Sequence, residues 1–142
     1  MSKSFKLNPQ LQQDCYVISE LPLSTLLLCN DKNYPWFILV PRVADIGEIY
    51  EMDADAQLQF MHESTQLSRI LMDEFQGDKL NIAALGNVVP QLHVHHIVRY
   101  RSDECWPKPV WGQKEAIFYQ EAEVELIKQK IVEPLNQRLN NL

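Results

Sequence analysis

Short apolar runs separated by prolines and polar turns fill the first third of the chain, a pattern of strands rather than of long helices. Asn8 before Pro9 predicts a short helix to about Gln13, since proline suits the first helical position. Cys15–Ser19 and Ser24–Cys29 read as two strands separated by Leu21-Pro22. After the turn Asn30-Asp31-Lys32-Asn33, the run Trp36–Val40 reads as a third strand, bounded by Pro35 and Pro41. The period then changes. Between Asp53 and Phe75 the apolar residues Leu58, Met61, Leu67, Ile70, Leu71 and Phe75 recur at helical spacing, and Gly77 follows. Core packing, not ligand binding, is expected of Met61 and Met72. Two more strands are predicted at Leu80–Ala84 and Leu92–Tyr100, joined by Leu85–Pro90. The irregular stretch Arg101–Lys114 leads to a helix over about 120–141, with Val124, Ile127, Ile131, Leu135 and Leu139 on one face. Pro134 is expected to kink or restart that helix.

Five short strands, a long helix inserted after the third and another helix at the end make an α+β domain. Most connections between neighbouring strands are too short for parallel crossovers, so the sheet should be mainly antiparallel. A length of 142 residues fits one domain spanning 1–142. Such a chain buries about 68–70% of its unfolded surface and needs no metal or disulfide to fold. The formal net charge of -6 argues against nucleic acid as a partner. No run approaches the ~18 apolar residues of a membrane span. No apolar stretch follows Met1-Ser-Lys-Ser-Phe-Lys, so no signal peptide is expected either. Cys15, Cys29 and Cys105 are odd in number and contain no C-x-x-C, which fits thiols in the reducing cytoplasm.

Three of the four histidines, His93, His95 and His96, fall within the predicted last strand. Alternation puts Gln91, His93, His95, Ile97 and Arg99 on one face and Leu92, Val94, His96, Val98 and Tyr100 on the other. The second face is apolar apart from His96 and should pack inward, making His96 a hydrogen-bonded core or interface residue. A valine there would avoid burying a polar group. The first face is polar and should open to water or a ligand. A metal shared by His93 and His95 lacks a nearby carboxylate or thiolate to complete its shell. The other readings are a merely polar surface and a phosphate site with a nucleophilic imidazole.

The stretch Gly86-Asn87-Val88-Val89-Pro90-Gln91-Leu92-His93-Val94-His95-His96-Ile97-Val98-Arg99 resembles the signature of the histidine triad (HIT) superfamily of nucleotide hydrolases and transferases. In that signature three histidines alternate with apolar residues after a glycine loop. Upstream, Leu28-Cys29-Asn30 and Ile38-Leu39-Val40-Pro41-Arg42 resemble the family's nucleoside-binding strand pair, so the likeness covers about residues 16–112. The Trp106-Pro-Lys-Pro-Val-Trp111-Gly112 stretch is similar to a bacterial subgroup of HIT-like hydrolases.

The resemblance implies a HIT-like fold and a role for each matching residue. His93 takes the place of the covalent nucleophile and His95 that of the histidine contacting the phosphate and aiding departure of the leaving group. Gln91 stands at the first triad position, where an amide cannot ionise, and His96 stands where an apolar residue is usual. Asn87 matches the position whose amide holds a phosphate, Gly86 and Val88 flank it in the loop, and Asn30 matches a ribose-binding position. Asn30 also reads as an ordinary turn residue. Arg99 and Arg101 either draw in the phosphates or are solvated at a strand end, while Trp106 and Trp111 either close the site or anchor the loop. The implied reaction needs no metal or cofactor beyond Mg²⁺ carried by the substrate, a dinucleoside polyphosphate or nucleotide conjugate. His93 would carry the nucleotide on one ring nitrogen while a backbone carbonyl holds the other. A homodimer joined edge to edge is implied as well. A nucleotide-binding module with little catalysis is the alternative, because Gln91 interrupts the triad.

Overall fold

The computed structural model describes residues 4–141. Strands β1 (Cys15–Glu20), β2 (Ser24–Cys29), β3 (Trp36–Pro41), β4 (Lys79–Ala83) and β5 (Val94–Arg99) form one sheet in the order β1-β2-β3-β5-β4. All neighbouring pairs are antiparallel. Three helices complete the fold: α1 (Pro9–Asp14), α2 (Ala54–Phe75) and α3 (Glu121–Asn140), with a 3₁₀ turn at Ile49–Glu51. Side chains cap the helices at their free N–H groups: Asn8 Oδ1 accepts from Gln10 N, and Asp53 Oδ1 from Ala56 N.

Helices α2 and α3 cover one face of the sheet. Leu26, Leu28, Phe37, Leu39, Val94 and Val98 meet Phe60, Leu67, Leu71, Ile131 and Leu135 there in a single core. Leu58 and Met61, expected in that core, are exposed instead. The inner stripe of α2 runs through Phe60, Glu63, Ser64, Leu67, Ile70 and Leu71, so two polar residues occupy places that apolar periodicity assigned elsewhere. Glu63 is fully buried, and its carboxylate accepts hydrogen bonds from Leu23 N, Ser24 N and Gln59 Nε2. Its charge is spread over these donors, which pins the β1–β2 turn to the helix.

The left-handed residue ending α2 is Gln76, not Gly77. Gly77 answers a different need, since a Cβ there would lie 2.3 Å from Val98 Cγ1. Helix α3 runs unbroken through Pro134 rather than restarting. Its ring forgoes one internal hydrogen bond, while Ile131 and Leu135, fully buried on either side, hold the helix to the core.

The other face of the sheet, expected to open to water or a ligand, is closed over most of its length. Leu27, Tyr34, Trp36, Ile38, Val40 and Ile97 pack there against Leu11, Cys105 and Val110. The chain after β5 folds back over this face and buries Arg99, which is 1% exposed. Its guanidinium donates to both Asp103 carboxylate oxygens at 2.9 and 3.0 Å and to Asn81 Oδ1 at 3.0 Å. It also lies 5.5 Å from the Tyr34 ring centre and 5.7 Å from that of Trp106. Arg99 is therefore neither solvated nor placed to draw in a ligand.

His96 lies fully buried on the helical side. Its Nδ1 donates to Val94 O at 3.0 Å, leaving Nε2, 2.7 Å away, to accept from the Ser64 hydroxyl. With its polar atoms satisfied, the ring gains nothing from replacement by an apolar residue. His96→Val should cost about 1–3 kcal/mol in urea unfolding, because Ser64 loses its buried partner. Adding Ser64→Ala should recover part of that loss, and a stability unchanged by His96→Val would contradict the arrangement. Burial also pulls the His96 pKa down to about 4. The unfolded chain, titrating near pH 6.5, therefore takes up the proton first. The stability from this group is complete above about pH 6.5 and declines toward pH 4 by up to about 1.4 kcal/mol per pH unit. His96→Val should flatten that acid limb.

Candidate active site

Two hollows adjoin Trp36, which lines one of them and packs against His95 and Trp111 of the other. One, of about 300 Å³, is lined by the loop Leu85–Val89 together with His93, His95 and Trp111. The other, of about 490 Å³, is lined by Gln13, Asp14, Cys29, Asn30, Asp31, Trp36, Ala116 and Phe118. The Trp36 ring centre lies 5.7 Å from those of both His95 and Trp111.

His93 immediately precedes β5 and His95 lies within it, and both line the smaller hollow. Their rings meet edge to face with centres 5.0 Å apart, and each residue is 7% exposed. His93 Nδ1 is 2.7 Å from the carbonyl oxygen of Gln91. A carbonyl can only accept, so Nδ1 carries the proton and Nε2 of the neutral ring keeps a lone pair. His95 Nδ1 lies 2.9 Å from the indole Nε1 of Trp36. Register explains the reach, since Ile38 pairs with His95 and Trp36 sits two residues along the same face of β3. Burial, reinforced by His93 and His96, lowers the His95 pKa to about 3.

Gly86 has φ +70°, a left-handed conformation that lets the loop turn back over the histidines. Asn87 and Val88 project from this loop at the rim, where both are exposed. Among the described residues, no group of three or more His, Cys, Asp or Glu side chains is placed to hold a metal ion.

In the larger hollow, Asn30 Oδ1 accepts from Tyr119 N at 2.9 Å, which leaves its Nδ2 hydrogens for a ligand. Asp31 went unnoticed in the sequence because it sits in a turn-rich tetrapeptide. It is nevertheless buried, with one carboxylate oxygen accepting from Asn33 N, Asn33 Nδ2 and Ile117 N. These bonds zip residues 30–33 to the 115–119 segment, a pairing that sequence spacing does not reveal.

The HIT domain model matches residues 10–102. The chain belongs to the histidine triad (HIT) family. Among solved structures, a histidine triad protein from Marinobacter aquaeolei VT8 is 47% identical with a TM-score of 0.92, covering 96% of this chain and 99% of its own. One from Bradyrhizobium japonicum is 42% identical with a TM-score of 0.88, covering 96% and 99%. A third, from Sinorhizobium meliloti 1021, is 39% identical with a TM-score of 0.89, covering 92% and 96%. No curated protein matches the chain.

Within this HIT fold, Gln91 is separated from the two histidines it was expected to join. Its Oε1 accepts from Asn8 N at 2.9 Å and its Nε2 donates to Lys6 O at 2.8 Å. The amide thus pairs with the backbone of the N-terminal segment as another peptide group would, and lines a separate hollow with Asp45, Gly47 and Glu51. Only the Gln91 carbonyl serves the site, through His93. Of the two tryptophans expected to close the site or anchor its loop, Trp111 lines the hollow. Trp106 instead packs against buried Arg99.

Proposed function

We propose that this HIT protein is a nucleotide hydrolase or transferase that cleaves at the α-phosphate through a nucleotide held covalently on His93. The observation that carries this reading is the carbonyl of Gln91 on His93 Nδ1, which leaves Nε2 unprotonated beside a glycine loop. An imidazole in that state is nucleophilic at neutral pH. The nucleoside would occupy the larger hollow, with Asn30 Nδ2 and the Asp31 carboxylate toward the ribose hydroxyls. The phosphates would enter the smaller one, with Asn87 and the backbone of Gly86 and Val88 around the equatorial oxygens. No protein-bound metal or cofactor enters this scheme, and any Mg²⁺ would arrive with the substrate. Dinucleoside polyphosphates and nucleotide conjugates are the substrate classes.

The departure at Gln91 is compatible with catalysis because its side chain lies outside the hollow. A homodimer formed through the free edge of β4 belongs to the same reading. Ile82 on β4 and Leu58 and Met61 on α2 are exposed apolar residues. Ile82 pairs with His96, which lies beneath Ser64, one turn from Met61. The three free thiols suit the cytoplasm. Among the described residues no helix is long and apolar enough to cross a membrane.

The test is a panel of dinucleoside polyphosphates, adenosine phosphoramidates and sugar nucleotides, assayed for turnover beside AMP binding by calorimetry. Turnover of at least one class with AMP as a product is expected. AMP binding with no turnover across the panel would replace the enzyme reading with that of a nucleotide-binding module.

A further inference from the structure

The two histidines of the smaller hollow are held by opposite kinds of partner. The Gln91 carbonyl beside His93 can only accept, whereas the Trp36 indole beside His95 can only donate. His95 Nδ1 must therefore be bare, and in the neutral ring the proton sits on Nε2. We propose that Trp36 is a positioning residue that locks His95 as a fixed Nε2–H donor, committing the site to phosphoric anhydrides over phosphoramidates. This deepens the nucleotidyl-transfer reading and rests on it.

A second proton on His95 would set its Nδ1–H against the indole N–H, with no acceptor between them. The surroundings offer no relief. Trp36 and Trp111 flank the ring, and its sheet partners Ile38 and Ala83 are uncharged. The titratable groups acting on it are His93 beside it and His96 behind the strand, and both oppose a positive charge. Burial acts in the same direction.

The consequence falls on the leaving group. His93 Nε2 forms a bond to the α-phosphorus while the bond from phosphorus to the leaving atom breaks, and that electron pair departs with the leaving group. A phosphate leaving group carries the pair as an ordinary anion and takes any proton later from water. An amine leaving group departs only after its nitrogen has gained a proton, which neutral His95 cannot supply without itself becoming an anion. The His95 Nε2–H can still donate a hydrogen bond to the developing charge, which stabilises it without proton transfer. Water then attacks the phosphorus, the P–N bond breaks, its electron pair returns to His93 Nε2, and the water proton goes to solvent.

Two measurements on the wild-type protein test this directly. Imidazole ¹⁵N NMR should show His95 with an unprotonated Nδ1 and a protonated Nε2, unchanged between pH ~5 and ~8, the range in which histidines ordinarily titrate. Initial rates should give a kcat/KM for diadenosine polyphosphates at least ~100-fold above that for adenosine phosphoramidates. The rate should stay level at alkaline pH, because no protonated acid is consumed. Trp36→Phe should free His95 Nδ1, narrow the substrate ratio about tenfold and introduce an alkaline fall in rate. A general loss of activity in the variant affects both substrates and leaves the ratio interpretable. A His95 that titrates in the wild type, or phosphoramidate turnover within ~10-fold of the anhydride, would overturn the lock while leaving nucleotidyl transfer standing. Turnover of neither substrate would overturn the underlying function instead, and the selectivity with it.

Discussion

His93→Ala should reduce turnover by at least ~10³-fold, about 4 kcal/mol of transition-state stabilisation, while AMP affinity stays within a few-fold. The asymmetry follows from the division of labour in the site. Asn30 and Asp31 line the larger hollow and the Gly86 loop lines the smaller one, so the groups proposed to bind the nucleotide survive the substitution. What disappears is the only ring of the pair whose Nε2 bears a lone pair. His95 cannot take over, because its free nitrogen is the protonated one while Trp36 holds the other. A base quench of the wild-type reaction, followed by mass spectrometry, should find a nucleotide added to the peptide containing His93. Base is required because acid cleaves the phosphoramidate. Normal turnover after His93→Ala would sink the covalent mechanism.

Arg99→Ala should destabilise the fold by about 3–5 kcal/mol, a large part of the ~5–15 kcal/mol available to a typical domain. The guanidinium is 1% exposed and its bonds hold Asp103, whose backbone-linked turn carries the chain back across the sheet. Removing it leaves a carboxylate with little water and no cation, and opens a void between Tyr34 and Trp106. Arg99→Lys should fare poorly as well, since a single ammonium cannot reproduce the two-pronged contact with Asp103. Arg99 also holds the Asp103 carboxyl below its ordinary pKa. That contribution is present above the ordinary carboxylate pKa and fades as pH falls through the depressed value. Arg99→Ala should remove this acid dependence together with the stability. Unfolding free energies from urea titration that differ by less than about 1 kcal/mol would show that Arg99 is not a structural plug.

The strands and long helices were legible because their causes are local. Apolar runs closed by Pro35 and Pro41, and the helical period through Leu67, Ile70 and Leu71, declare themselves within a few residues. The fate of each strand face was not legible. The polar look of Gln91, His93, His95 and Arg99 argued for an open surface, yet residues 101–112 fold over most of it and give Arg99 an ion partner of its own. Leu58 and Met61 misled for the converse reason, since an apolar residue at helical spacing is equally compatible with an exposed side.

The sequence alone carried the family, through the alternation of His93 and His95 after a glycine loop, and with it the element order. Spacing along one strand was sufficient because alternation places both rings on the same face whatever surrounds them. The protonation pattern of those rings required the folded chain. A tautomer is set by the partner of the other nitrogen, and the partner of His95 is Trp36, distant in sequence and brought near only by the pairing of β3 with β5. The separation of Gln91 from the histidines arose the same way, from backbone groups of the N-terminal segment that no local pattern announces.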